Sequence, residues 1–95
     1  MPEEVRRAAD LLERRWAIPV LWAVLAGAAR FNEFRQAAAG VPPRTLSERL
    51  RELEQAGVLE RHVVPASPPY AEYRLTPAGQ KLAPAIEALR RFSST

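Results

Sequence analysis

The side chains best suited to chemistry in this chain lie between Gly40 and Gly57, in the stretch GVPPRTLSERLRELEQAG. Leu46, Leu50 and Leu53 recur at i, i+4 and i+7, a spacing that predicts one narrow apolar stripe along a helix. At about 100° per residue, the opposite direction is held by Arg44, Glu48, Arg51 and Gln55, with Thr45 and Ser47 on the flanks. Guanidinium, carboxylate, amide and hydroxyl groups on one exposed helix face can read base edges or hold phosphates. A merely solvated amphipathic helix carries the same pattern, so the flanking sequence has to decide. Both ends are punctuated: Pro42 and Pro43 suit a first turn that needs no N–H, and Gly57 suits a left-handed C-terminal residue.

Ninety-five residues predict one domain with a modest core. The composition, 47% hydrophobic and 26% charged, is that of a globular chain. With no cysteine, disulfides, thiolate metal sites, cysteine nucleophiles and thiol redox sensing are excluded. His62 is the single histidine, so no metal site and no cofactor is expected. No serine–histidine–carboxylate set, paired carboxylates or glycine-rich phosphate loop is present, which argues against an enzyme. The net charge of +3 rests on arginine, Lys81 being the one lysine. That permits a polyanionic partner without demanding one, and arginine's planar fork suits phosphate and guanine edges. The N-terminus shows no apolar signal core, and the run from Ala17 to Ala29 is too short to span a bilayer. A cytoplasmic protein with no membrane partner is expected.

The stretch is framed by recognisable elements. Residues 3–15 predict a first helix, with Val5, Ala8, Ala9, Leu12 and Trp16 on one face and Leu11 as a second, smaller apolar edge. Residues 17–28 predict a second helix with Pro19 in its first turn, apolar nearly all round and so buried on several sides, Trp22 included. Asn32 reads as the N-cap of a short helix through Ala39, with Phe31 and Phe34 facing the core. A tight Gly40-containing turn then leads into the helix at 43–56, which makes a helix-turn-helix. After Gly57, VLERHVV and AEYRL alternate in polarity around PASPP and predict a hairpin over 58–75. Symmetric pairing about Ser67 sets Leu59 against Leu75 and Val63 against Ala71 on the core side. Glu60 then faces Arg74, and His62 faces Glu72. Thr76-Pro77 starts a last helix over 77–92, kinked by Pro84, with Leu82, Ile86, Leu89 and Phe92 in its apolar stripe and a frayed tail beyond.

The fold class is therefore mainly α with a small β-hairpin, in the order of a winged helix-turn-helix. Residue identities add to the topology. Arg14-Arg15-Trp16, RFNEF (30–34), the Leu46-Ser47…Leu50…Leu53-Glu54…Gly57 segment, PPYAEYRLTPAG (68–79) and Leu82-Ala83-Pro84 together closely resemble the HxlR family of bacterial transcription regulators. The resemblance covers about Leu12 to Phe92. It implies a DNA-binding homodimer whose first and last helices pair across a two-fold axis, each subunit offering one recognition helix and one wing. An unpartnered edge at Leu11 and the stripe Leu82, Ile86, Leu89 and Phe92 fit that dimer. Two departures stand out. Where many family members carry a cysteine near the start of the first helix, this chain has Glu3 and Glu4. Where the wing often has a basic residue after the double proline, this chain has Tyr70.

On this reading Pro43, Arg44, Thr45, Ser47 and Glu48 enter the major groove of double-stranded DNA. Arg44 is positioned for a bidentate guanine contact and Ser47 for a base or a phosphate. Glu48 either accepts from cytosine N4 or pairs with Arg44 or Arg51 on its own face. Arg51, a turn further on, is expected at phosphate. Arg30 precedes the third helix, whose first amides can face a phosphate. On the wing, Arg61, His62 and Tyr70 are weaker candidates, His62 having Glu72 as an alternative partner. A winged helix serving only as a protein-interaction module is the competing reading. An effector pocket at Trp16, Trp22 or Phe92 is conceivable, plain core being expected for all three; effector, operator and sign of regulation are not legible.

Overall fold

The computed structural model describes residues Met1–Ser94. Its elements run α1 (Glu3–Leu12), α2 (Ala17–Leu25), α3 (Phe31–Ala37), α4 (Pro43–Gln55), β1 (Leu59–Val64), β2 (Tyr70–Leu75), α5 (Pro77–Gln80) and α6 (Ala83–Ser94). This is the mainly helical, winged arrangement the sequence predicts, with β1 and β2 as one antiparallel hairpin.

One core holds these elements together. Val20, Leu21, Ala23 and Val24 of α2 meet Phe34 of α3, Leu46, Leu50 and Leu53 of α4, Leu59 of β1 and Ile86 of α6. The three leucines of α4 are at most 1% exposed, so the predicted stripe is the buried one and its opposite face is turned outward. The outer ends of α1 and of α6 contribute little to this core.

Several elements differ from the sequence expectation, each for a local reason. The first helix stops at Leu12 rather than reaching residue 15. A helix running on through α2 would drive the Pro19 ring into the carbonyl of Arg15. The chain instead reverses at Trp16, whose φ of 74° is left-handed, and α2 begins afresh with Pro19 in its first turn. The third helix is capped at Arg30 rather than Asn32 and ends at Ala37. The cap is supplied by Glu33, whose Oε1 accepts the N–H groups of Arg30 at 2.8 Å and Ala29 at 2.9 Å. These bonds hold the Glu33 carboxyl below the usual carboxylate range. The second helix is buried on one side only. Trp22 is 41% exposed and Ile18 38%, so Trp22 is not the core residue expected.

The predicted kinked helix over 77–92 is two helices. Proline at 84 has no N–H to donate back to Gln80, so the chain closes α5 at Gln80 and restarts; Pro84 then lies in the first turn of α6, where a missing donor costs nothing. α6 also runs past Phe92 to Ser94, where a frayed tail was expected; the last residue, 95, lies outside the described range.

The α4–wing–α5 junction is tightly tied. Gly57, φ 78°, ends α4. Thr76 caps α5 by accepting the Gly79 N–H at 2.9 Å, and its hydroxyl donates to the carbonyl of Gly57. A Cβ built on Gly79 would stand 2.2 Å from the Val58 carbonyl oxygen, so only glycine admits this approach.

The hairpin register is the predicted one, with Leu59 opposite Leu75, Glu60 opposite Arg74, His62 opposite Glu72 and Val63 opposite Ala71. Its ion pairs nevertheless run along the strands. His62 Nε2 lies 3.3 Å from Glu60, and Arg74 lies 3.4 Å from Glu72, so His62 does not pair with Glu72. Val63 is 59% exposed because the hairpin projects beyond the core at that level.

Candidate nucleic-acid interface

With its leucines sealed, α4 presents Arg44, Ser47, Arg51 and Gln55 to solvent, while Thr45 and Glu48 are half-covered. Arg44, Ser47, Glu48 and Arg51 line one shallow groove on this face. The Arg44 side chain is 94% exposed and its Nε lies 3.7 Å from Glu48. That exposed pair is weak and gives way readily to a better acceptor. Glu48 is also 3.4 Å from Arg49, so of its two sequence readings the structure favours an internal partner over a free acceptor for cytosine.

Arg49 was not singled out by sequence, yet it is the one buried charged residue among those described. It donates to Glu52 at 2.6 Å, and Glu52 lies 3.3 Å from Arg14. Arg14, Glu52, Arg49, Glu48 and Arg44 thus form a chain of ion pairs from the end of α1 to the outward face of α4. The available signal was positional. Arg49 stands one turn from Leu46 and Leu53 at the edge of the apolar stripe, where a long side chain is drawn under its neighbours.

The turn between α3 and α4 is built by Gly40, φ 94°, and by Val41, which is buried and donates its N–H to Ala38. Beside it Asn32, Arg35, Gln36, Pro42 and Pro43 line a second open groove. Pro43 therefore shapes the approach to α4. Arg35 is a further cation of this surface, readable in advance only as a member of the polar face of α3.

The wing meets α3 at a third cleft, which includes Arg30, Arg61 and Tyr70. The Arg30 guanidinium lies 3.8 Å from the centre of the Tyr70 ring. Glu33 takes up the amides of Ala29 and Arg30, just ahead of the first turn of α3. The basic group there is the Arg30 side chain itself. Among the described residues Arg30, Arg35, Arg51 and Arg61 form no ion pair, and all four are exposed on α3, α4 or the wing. The structure brings the helix-turn-helix and wing candidates to these three clefts except for Thr45, which lines none of them, and His62, which lies beside Glu60 instead.

The residues assigned to dimerisation divide. Ile86 is 5% exposed and belongs to the protomer's own core, so it is not available to a partner. Leu11 and Leu82 are half-buried against that core. Leu89 is 48% and Phe92 79% exposed, and Val5 of α1 and Ile18 and Trp22 of α2 are exposed as well. Among the described residues no group of three or more acidic or histidine side chains could hold a metal ion, and no helix is long and apolar enough to cross a membrane.

Comparison with known proteins agrees with this geometry. A family model described as HxlR-like helix-turn-helix matches residues 11–95. An uncharacterized HTH-type transcriptional regulator of Bacillus subtilis, YvaP, is 39% identical over 88 residues, covering 93% of this chain and 82% of that protein. A second such regulator, sll1512 of Synechocystis, is 36% identical over 95% of this chain and 67% of its own length. Among solved structures, the redox regulator HypR in its reduced form superposes with a TM-score of 0.86 at 32% identity, covering 97% of this chain and 91% of HypR. The reduced form of the transcriptional regulator YodB from B. subtilis superposes with a TM-score of 0.83 at 30% identity, over 98% of this chain and 91% of YodB. These relatives are transcriptional regulators rather than enzymes. With a winged helix-turn-helix fold and a family match over nearly its whole length, the chain belongs to the HxlR-like helix-turn-helix family of transcriptional regulators.

Proposed function

We propose that this regulator binds duplex DNA sequence-specifically as a homodimer on an inverted-repeat operator. The observation that carries this is the outward face of α4, where Arg44 and Ser47 are exposed while Leu46, Leu50 and Leu53 are sealed beneath them. Arg44 contacts guanine, Thr45 and Ser47 contact bases or phosphate, and Arg51 holds the backbone one turn further along. Exposed Leu89, Phe92 and Val5, on the terminal helices α1 and α6, support pairing of those helices across a two-fold axis. Such a dimer sets its recognition helices about one DNA turn apart, roughly 34–36 Å. Against the protein-interaction reading, Glu48 and Glu52 are taken up by Arg44, Arg49 and Arg14, while Arg51 stands exposed on the outer face in no ion pair among the described residues. This chain has no cysteine, so its likeness to the redox regulator HypR does not bring thiol chemistry with it.

Selection of bound duplexes from a random pool tests the proposal. Recovery of a palindrome supports it; recovery of no enriched sequence, with no salt-dependent binding to random duplex, refutes it. On the recovered site, Arg44→Ala lowers discrimination by about 1–3 kcal/mol. Arg51→Ala weakens cognate and random duplex alike and reduces the salt slope by about 0.9.

A further inference from the structure

The wing carries Tyr70 after its double proline, and the structure shows what stacks on it. Arg30, on the other side of the cleft, lays its guanidinium on the Tyr70 ring at 3.8 Å. Stacking uses the face of the guanidinium and leaves its in-plane N–H groups free along the edges. The geometry around the pair is tied down. The Tyr73 N–H donates to the Ala29 carbonyl at 2.8 Å, and the Phe34 and Tyr73 rings meet edge-to-face at 6.1 Å. Glu33, the nearest acid in sequence, spends an oxygen on the amides of Ala29 and Arg30 and makes no ion pair with the Arg30 guanidinium. Arg61 is the cross-strand partner of Tyr73, so it points to the face that β2 turns toward α3, and it lines the same cleft. Two cations that form no ion pair among the described residues therefore converge on one opening at the root of the wing.

We propose that this cleft holds a single backbone phosphate of the duplex, with Arg30 and Arg61 as donors and Tyr70 as the positioning residue that fixes Arg30. The proposal rests on the duplex-DNA reading above and deepens it. The cation beside Tyr70 comes from the start of α3, and the aromatic ring, not the phenolic hydroxyl, holds it in place.

Fluorescence anisotropy with a random-sequence duplex across a salt series separates the roles, because each phosphate contact contributes about 0.9 to the slope of log K against log salt. Arg30→Gln is expected to reduce the slope by part of that amount, because Arg61 still reaches the same phosphate, and Arg30→Gln combined with Arg61→Gln by about the whole of it. Tyr70→Phe keeps the ring and leaves slope and affinity unchanged. Tyr70→Leu reduces the slope as Arg30→Gln does, although it removes no charge, and adding it to Arg30→Gln causes no further loss. A Tyr70→Phe variant as impaired as Tyr70→Leu would transfer the contact to the hydroxyl and overturn the positioning role. An unchanged slope in Tyr70→Leu, beside a normal slope in the unaltered chain, removes this site alone. No salt-dependent binding by the unaltered chain removes the duplex reading and the site with it.

Discussion

Neutralising Glu52 is expected to harm the protein more than deleting the buried cation it holds. The Arg49 side chain is 8% exposed; it donates to Glu52 at 2.6 Å and lies 3.4 Å from Glu48. Its Nε has no hydrogen-bond partner. A guanidinium cannot shed its proton to escape burial. Glu52→Gln therefore leaves a cation nearly out of water with one distant carboxylate and one amide oxygen. Breaking a buried pair costs about 3–5 kcal/mol when the remaining charge is uncompensated. Glu48 and the amide oxygen compensate in part, which brings the expected cost to about 2–3 kcal/mol. Arg49→Met removes the cation and its orphan Nε together and leaves an apolar stem of similar length. The acids it frees keep other partners, Glu52 with Arg14 at 3.3 Å and Glu48 with Arg44 at 3.7 Å, and both are partly in water. Its cost is then about 0–1 kcal/mol. At about 4–8 °C per kcal/mol for a domain of this size, Glu52→Gln lowers Tm by roughly 8–24 °C and Arg49→Met by no more than about 8 °C. Circular dichroism during thermal and urea unfolding, at one fixed protomer concentration, reads the difference. If Arg49→Met proves as damaging as Glu52→Gln, the ion chain stabilises the fold as a whole and the reasoning from an uncompensated cation fails.

Three further outcomes follow from separate features. Gly79→Ala pushes a methyl group against the Val58 carbonyl, 2.2 Å away, and is expected to destabilise by about 1–3 kcal/mol or more in urea unfolding, where a surface alanine would cost little. Glu33 has a depressed carboxyl in the folded state, so its contribution is full above the ordinary glutamate value and is lost as pH falls through the folded value. Urea titrations stepped below about pH 4.3 should accordingly show a smaller acid loss in Glu33→Gln than in the unaltered chain. If the chain pairs as the proposed homodimer, Leu89→Glu, which puts a charge on an exposed apolar position of α6, should convert it to monomer in light scattering while leaving the helical signal intact; a dimer that persists would move the interface elsewhere.

Most of the fold was legible because its signals are local. The period of Leu46, Leu50 and Leu53, the Thr76-Pro77 start, the glycine after α4 and the hairpin register all depend on neighbouring residues, and all match the structure. The errors lie where the outcome depends on what the chain meets in space. Trp22 and Ile18 are exposed because nothing in the protomer covers that side of α2, and composition alone cannot show an uncovered side. Ile86 shares a stripe with Leu89, yet one faces α2 and the other solvent. Arg49 is drawn inward by Glu52 and Glu48, whereas Arg44 and Arg51, of the same residue type in the same helix, are not. Proline at 84 was read for its interior cost; whether a chain kinks at such a residue or restarts before it depends on where Leu82 and Ile86 find their packing.

The junction at Gly57, Thr76 and Gly79 bears on how this regulator treats its target. With the residues that follow α4 offering the carbonyls that anchor the return of the hairpin, and with β2 fastened just ahead of α3, recognition helix and wing cannot splay independently. A protein built this way behaves as a caliper of fixed gauge. On the proposed duplex reading, sites whose grooves open to that gauge without distortion are favoured over equally matched sequences that must be bent to fit, so part of the selectivity would reside in base steps the protein never touches.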